Sequence, residues 1–216
     1  MEKTTRRARG LFISFEGVDG SGKSTQAARL QTYFQERQIP ATFVREPGGT
    51  PISEKIRALL LDPANAEMSF ECELLLYEAS RAQLVREVIE PALASGDVVV
   101  CDRYLDSTFA YQAYGRHIDE ALVKAANAMG SCGVMPDITL VFDIDPTEAL
   151  ERACKEGADR LELAGVALEE RVREGYCALA AAEPARVQLI DARGTIDEVA
   201  RRVEATLADY VRDMRG

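Results

Sequence analysis

The sequence predicts an α/β protein in which a five-stranded parallel sheet is flanked by helices. Five short runs rich in β-branched and aromatic residues recur along the 216 residues, and stretches with helical spacing separate them. Strands that alternate with helices favour a parallel sheet, because the chain crosses over through a helix before the next strand begins. The length suits one domain over residues 1–216, and no shift in composition marks a second.

The predicted strands are short and apolar, which is typical of strands buried on both faces of a sheet. They cover residues 11–16, 41–46, 97–102, 138–145 and 186–191. Ligands bind beyond the carboxyl ends of the strands in such a sheet, so we expect the functional residues just after each run.

The predicted helices lie between these strands, and several are opened by Ser, Asp, Thr or Pro. They cover residues 23–37, 51–62, 70–94, 119–130, 147–156, 165–182 and 195–213. Residues 116–119 and 154–165 are predicted to be mobile surface segments, the second because it is rich in charge and glycine.

The composition excludes several classes of protein. A formal charge of −10 argues against broad nucleic-acid binding, which needs a basic face. The five cysteines are widely spaced without a C-x-x-C pair, which predicts free thiols in a reducing, cytoplasmic setting. Residues 1–10 are basic, but the apolar run after them is too short for a signal peptide or a membrane span, so we expect a flexible tail.

Residues 17–24, GVDGSGKS, fit the pattern G-x-x-x-x-G-K-[ST] between a predicted strand and a predicted helix. In such a P-loop the backbone N–H groups face the phosphates of a nucleotide, the lysine reaches the β and γ oxygens, and the serine hydroxyl ligates Mg²⁺. The motif predicts a P-loop NTPase fold that binds ATP or GTP, with Lys23 in a solvent-facing loop. The expected nucleotide contacts are Gly17, Val18, Asp19, Gly20, Ser21, Gly22, Lys23, Ser24 and Thr25.

A second motif, CDRYLDSTFAYQAYG at 101–115, follows the third predicted strand. Asp102 can hold the water shell of a metal ion, and Arg103 can bind a second phosphate. An Asp-Arg pair also occurs as a surface salt bridge. The polar and aromatic residues after it instead favour the wall of a pocket for a base and a sugar: Ser107, Thr108, Tyr111 and Gln112.

Two further segments complete the pattern. In residues 43–62, Pro47 and two glycines break the chain, and Arg57 lies one turn inside the next helix, as in a site for an acceptor phosphate. Tyr77 and Arg81 stand four residues apart on one helical face. At that spacing a tyrosine is usually a core residue and an arginine is usually solvated.

These segments resemble the thymidylate kinase family, whose members phosphorylate dTMP with ATP. The resemblance is carried by FEGVDGSGKSTQ, REPGGTP, SRAQ, CDRYLDSTFAYQ and DRLE, which occur in the family's order over nearly the whole chain. It implies a homodimer that uses Mg²⁺, with Ser24 and Asp102 at the metal. The catalytic residues that it implies are Asp19, Lys23, Arg103 and Arg160.

The same resemblance implies roles at the acceptor. Asp19 would contact the 3′-hydroxyl, Arg103 would bridge donor and acceptor phosphates, and Arg57 would hold the acceptor phosphate after a cis Glu46–Pro47 peptide.

The base and sugar contacts are implied in the same way. Tyr77 would stack on thymine, Arg81 would donate to its O4, Gln112 with Thr108 would contact N3, and Tyr111 would crowd the 2′ position of the sugar.

At the donor, residues 154–165 resemble a lid that closes over the phosphates, with Arg160 as a lid arginine and Arg152 near its start. Some family members carry an arginine where this chain has Gly20, and the others depend on lid arginines. Ala192 and Arg193 stand where adenine is expected.

Two alternatives remain at this point. The chain could be a kinase for another monophosphate, such as dCMP, UMP or GMP, or it could be a P-loop GTPase or regulatory ATPase. Against a GTPase, the sequence has no N-K-x-D guanine signature, and a switch protein needs no acceptor pocket.

Overall fold

The protein is built on a parallel sheet of five strands in the order β2-β3-β1-β4-β5. The structure is a computed structural model that describes residues 9–153 and 165–212. The strands are β1 (Phe12–Glu16), β2 (Ala41–Arg45), β3 (Val98–Asp102), β4 (Ile138–Asp143) and β5 (Val187–Asp191). The predicted sheet is confirmed, and each strand is one or two residues shorter than its predicted run.

Strand β1 lies at the centre of the sheet, and all five of its residues are buried. It pairs with β3 and β4 in a register that sets Phe15 opposite Asp102 and Glu16 opposite Val141. Past the strand ends, the backbone N–H of Arg103 donates to the carbonyl of Phe15 at 2.8 Å. The loops after β1 and β3 therefore start side by side.

Helices cover both faces of the sheet. In the described ranges they are α1 (Lys23–Glu36), α2 (Pro51–Leu61), α3 (Phe70–Leu84), α4 (Glu90–Ala94), α5 (Leu105–Thr108), α6 (Glu120–Gly130), α7 (Pro146–Ala153), α8 (Val166–Ala182) and α9 (Ile196–Arg212). The helix predicted over 70–94 is present, but a π-helical turn at Val85–Ile89 separates α3 from α4.

Side chains cap the starts of α2 and α3, but not the start of α1. Thr50 accepts from the N–H of Ser53 at the start of α2, and Ser69 accepts from the N–H of Cys72 at the start of α3. Helix α1 begins after Gly22, and no side chain caps it. Its first N–H groups are therefore left for another partner, as in helices that bind anions.

The segment after β3 is helical, which the sequence analysis did not predict. Helix α5 continues without a break into a π-helical stretch, Phe109–Gly115, that packs along α8. Phe109 and Tyr111 are buried there. The sequence does not indicate this helix, because its apolar and polar positions do not follow a regular 3.6-residue period.

The main core lies between the sheet and the helices, where Phe15 of β1 meets Phe142 of β4 with ring centroids 5.0 Å apart. Over residues 9–153 and 165–212, no helix has both the length and the apolar character needed to cross a bilayer.

Candidate active site

The loop between β1 and α1 is shaped by glycines. Gly20 and Gly22 have φ of +77° and +92°, which a residue with a side chain adopts only under strain. A Cβ on Gly17 would lie 2.7 Å from the carbonyl oxygen of Phe142. The loop therefore needs glycine at these positions to turn its backbone N–H groups inward over the start of α1.

Lys23 is buried, with 6% of its surface exposed, so the prediction of a solvent-facing lysine is wrong. Its ammonium group donates to the carbonyls of Gly17 at 2.9 Å and Val18 at 2.8 Å. Burial lowers the pKa of Lys23, and the neighbouring Arg103 lowers it further, against the opposing effect of Asp19. The side chain folds over its own loop because these carbonyls offer the nearest acceptors.

Ser24 and Asp102 come together at the predicted metal position. The Ser24 hydroxyl donates to Oδ2 of Asp102 at 2.7 Å, and both residues line the cleft beside the P-loop. Two hard oxygen ligands suit Mg²⁺, which keeps several waters and phosphate oxygens instead of a full protein cage. In the described part of the chain, no cluster of three or more His, Cys, Asp or Glu side chains offers such a cage. The residues present therefore fit Mg²⁺ bound together with a nucleotide.

Arg103 lies at the centre of the site, in the left-handed conformation with φ of +69°. Its guanidinium donates to Asp19 at 2.6 Å, to Ser107 at 3.1 Å and to the hydroxyl of Tyr111 at 3.2 Å. Strained backbone of this kind is concentrated at functional sites. Burial alone would raise the pKa of Asp19, but the charges of Arg103 and Lys23 hold it at about 2. Asp19 is thus ionised and fixed.

Glu16, the last residue of β1, holds the residues around Arg103 in place through hydrogen bonds. It is fully buried and accepts from the backbone N–H of Tyr104 at 2.7 Å and from the hydroxyls of Ser107 and Tyr176 at 2.5 and 3.1 Å. Burial and the nearby charge of Asp106 raise the pKa of Glu16 to about 7. This carboxyl orients the residues around Arg103 without reaching the pocket itself.

An enclosed pocket opens beside Arg103. The structure places in its wall every residue that the sequence analysis assigned to dTMP, and it adds Leu61 and Tyr104. The lining residues are Asp19, Glu46, Pro47, Arg57, Leu61, Tyr77, Arg81, Arg103, Tyr104, Ser107, Thr108, Tyr111 and Gln112. The Glu46–Pro47 peptide is cis, as expected, and Arg57 donates to the carbonyl of Pro47 at 2.9 Å.

Arg81 forms the floor of this pocket and is 1% exposed. Its Nε donates to Glu46 at 2.8 Å, Nη1 donates to Glu78 and to Asn127, and Nη2 donates to Thr108 at 2.9 Å. A guanidinium has five N–H groups, so these four bonds to the described residues leave one on Nη2 for a ligand. Burial raises the pKa of Glu46, and the charge of Arg81 opposes that shift and favours the ionised carboxylate.

Gln112 is held by a second buried ion pair. Its Nε2 donates to Oε1 of Glu73 at 2.9 Å, and Glu73 is fully buried. Arg116 donates from Nε and Nη2 to the two oxygens of Glu73, both at 3.2 Å. The prediction that residues 116–119 form a mobile surface segment therefore fails for Arg116, which is anchored behind the pocket.

A wider cleft runs from the P-loop towards α9. It contains the predicted nucleotide residues from Asp19 to Thr25, together with Arg152 and Ala192, and it also includes Gly194, Ile196 and Val199. Gly17 and Val18 are not among the residues that line this cleft. Arg193 points elsewhere, because its guanidinium pairs with Asp191. The roles of these residues towards ATP remain predictions. Arg160 and the rest of the predicted lid up to residue 164 lie outside the described residues.

Glu16, Glu73 and Arg116 are the supporting residues that the sequence analysis missed. Glu16 had a usable signal, because it directly precedes the P-loop at a strand end. Glu73 and Arg116 had none, since 43 residues separate them along the chain.

Known proteins resemble this chain over most of its length. A family model described as thymidylate kinase matches residues 15–203. Thymidylate kinase from Desulfosudis oleivorans is 49% identical over 91% of this chain and 96% of its own, and that from Symbiobacterium thermophilum is 45% identical over 95% and 97%. The crystal structure of thymidylate kinase from Ehrlichia chaffeensis superposes with a TM-score of 0.76 at 34% identity, covering 92% of this chain and 98% of that one. This chain belongs to the thymidylate kinase family.

Proposed function

We propose that the protein transfers the γ-phosphoryl group of ATP to dTMP, giving ADP and dTDP, with Mg²⁺ as the metal ion. The observation that carries this proposal is that two pockets meet. The P-loop cleft and the enclosed pocket share Asp19, Glu46, Arg57 and Arg103 in their walls. A donor phosphate on the P-loop and an acceptor phosphate at the mouth of the enclosed pocket would therefore meet beside Arg103.

The transfer breaks the bond between the γ-phosphorus and the β–γ bridging oxygen and forms a bond to a dTMP phosphate oxygen. The protein contributes position and charge, because phosphoryl transfer requires little covalent chemistry from it. Lys23 and Arg103 would neutralise the transferring group, and Arg57 would hold the acceptor phosphate. Mg²⁺, held by Ser24 and Asp102, would neutralise charge on the donor phosphates.

The enclosed pocket would hold the nucleoside of dTMP. Asp19 and Tyr111 both line it, with the Tyr111 hydroxyl 3.3 Å from Oδ2 of Asp19, so Asp19 would contact the 3′-hydroxyl and Tyr111 would lie beside the sugar. The free N–H of Arg81 matches O4 of thymine, and the Gln112 amide matches N3–H. We extend the proposal to a single domain over residues 1–216, with a flexible tail at 1–10 and a lid at about 154–165 that carries Arg160.

We also propose a cytoplasmic homodimer that binds neither membrane nor nucleic acid. Helix α6 exposes Leu122 and Met129, seven residues apart and 63% and 83% exposed, and Leu75 on the adjacent α3 is 63% exposed. Apolar side chains on neighbouring helices are typical of a subunit interface. Sedimentation equilibrium at micromolar concentration tests this: a twofold mass supports it, and a monomer contradicts it.

A coupled assay of ADP release with each monophosphate tests the function. We expect dTMP to be the best acceptor, and dUMP to follow, since one methyl group is worth only about 1–3 kcal/mol. We expect dCMP and dGMP to be nearly inert, because a mismatched hydrogen-bonding edge can cost about 10⁴-fold. ADP release that is independent of dTMP, or a preference for dCMP, would contradict the proposal.

A further inference from the structure

The buried ion pair behind the base pocket, Glu73 with Arg116, has no contact with the proposed substrates. Glu73 lies on α3 with no exposed surface, and it is not among the residues that line the pocket. Arg116 follows the π-helical stretch and covers Phe70, with its guanidinium carbon 4.8 Å from the ring centroid. Among the described residues, Gln112 links the pair to the pocket, because its amide nitrogen donates to Glu73.

The chemistry of this contact determines which way the Gln112 amide points. A carboxylate that binds a guanidinium through both oxygens is ionised, and an ionised carboxylate only accepts hydrogen bonds. Gln112 must therefore turn its NH₂ group towards Glu73. The carbonyl oxygen Oε1 is then the amide atom left for a ligand. No described residue donates to this oxygen within hydrogen-bonding distance.

We propose that Glu73, held ionised by Arg116, is a positioning residue that makes the pocket select a ring N–H at N3 over a bare ring nitrogen. The inference rests on the proposed function. Thymine and uracil carry N3–H, which Oε1 of Gln112 accepts, whereas cytosine presents an unprotonated N3. A reversed amide would favour cytosine at this position, so the orientation of one side chain separates the two classes of base.

The test replaces Glu73 by Gln, which keeps the size of the side chain. Arg116 takes the carbonyl of the new amide, and the new NH₂ group then faces Gln112 and requires its carbonyl oxygen. We expect the ratio of kcat/KM for dTMP to that for dCMP to fall by about 10-fold or more. The ratio of dTMP to dUMP stays unchanged, because both bases carry N3–H and O4. Glu71→Gln is the matched control on the exposed face of α3, and it leaves both ratios unchanged.

A double-mutant cycle separates positioning from general support of the fold. In a Gln112→Ala background, Glu73→Gln has nothing to orient and should leave the dTMP to dCMP ratio unchanged. If Glu73→Gln does not yield folded protein, Arg116→Met carries the same test. Loss of the Arg116 guanidinium favours the protonated form of buried Glu73, which can donate to Gln112, so the dTMP to dCMP ratio again falls.

Three outcomes overturn the inference: an unchanged dTMP to dCMP ratio in a folded variant, both ratios collapsing together, or the same change in the Gln112→Ala background. A failure of the proposed function looks different, because the wild-type protein itself would then fail to phosphorylate dTMP or would prefer dCMP.

Discussion

Removing Arg81 should destabilise the whole protein and not only weaken substrate binding. The guanidinium lies between Glu46 and Glu78, and all three side chains are at most 7% exposed. Arg81→Met keeps most of the buried volume but leaves two buried carboxyl groups without a cation, and it leaves Asn127 and Thr108 without their donor.

The expected cost follows from the burial of this cluster. Removing one partner of a buried ion pair costs about 3–5 kcal/mol, because the remaining charge is desolvated without compensation. For a domain of this size each kcal/mol lowers Tm by about 2–4 °C, so Arg81→Met should melt about 6–20 °C below the wild type. Arg86→Met is the control. Arg86 pairs with Glu90 on the surface, at 61% and 40% exposure, and its loss should leave Tm close to that of the wild type.

Urea unfolding followed by circular dichroism measures the free energies. Adding Glu46→Gln and Glu78→Gln to Arg81→Met should recover a large part of the loss, because neutral amides no longer need a buried cation. A loss below about 1 kcal/mol in Arg81→Met would show that the cluster is not desolvated. A further loss on adding the two glutamines would show that unpaired charge is not the cause.

Two other predictions concern the P-loop lysine and pH. Lys23→Ala should lower kcat by about 100-fold or more, since it removes a cation from the transferring group, while far-UV circular dichroism stays native; near-normal turnover would remove Lys23 from the mechanism. Burial raises the pKa of Glu16 and Glu169 to about 7, above the ordinary value of 4.5. The folded state therefore binds more protons than the unfolded state between about pH 5 and 7. Tm should fall as pH rises through this range, and Glu169→Gln should flatten the decline; a rising Tm would contradict the pKa directions.

The parts of the site that the sequence predicted well are local in the chain. The P-loop needs glycine at positions of positive φ and a lysine at one fixed spacing, so eight consecutive residues carry the whole signal. The five strands could be predicted equally well, because strands buried on both faces are continuously apolar. Helix α5 and its π-helical extension were not visible, because tertiary packing against α8 buries aromatic residues at spacings that no single helical period predicts.

The buried charged side chains are the part of the site that is hardest to predict from the sequence. Arg81 and Arg116 look like solvated surface residues in a sequence, since burial of an arginine requires partners from other elements. Glu46 lies 35 residues before Arg81, and Glu73 lies 43 residues before Arg116. Helical spacing paired Arg81 with Tyr77, but only the resemblance to a known family gave Arg81 a role, and nothing singled out Arg116. The acceptor pocket could therefore be assigned in outline, but the ion pairs that hold it could not.

The helical segment after β3 explains how one short motif would serve both halves of the proposed reaction. Arg103, Ser107 and Tyr111 follow each other at four-residue intervals, and Arg103 bonds to both of the others. Thr108 and Gln112 repeat that interval one residue further on, towards the base. Ser107, Thr108, Tyr111 and Gln112 lie on one unbroken helical segment, which would keep the proposed phosphate and base contacts on one rigid element. The register of β3 against β1 sets Arg103 beside the P-loop, so the sheet and this segment together would determine the distance between the donor phosphates and the base.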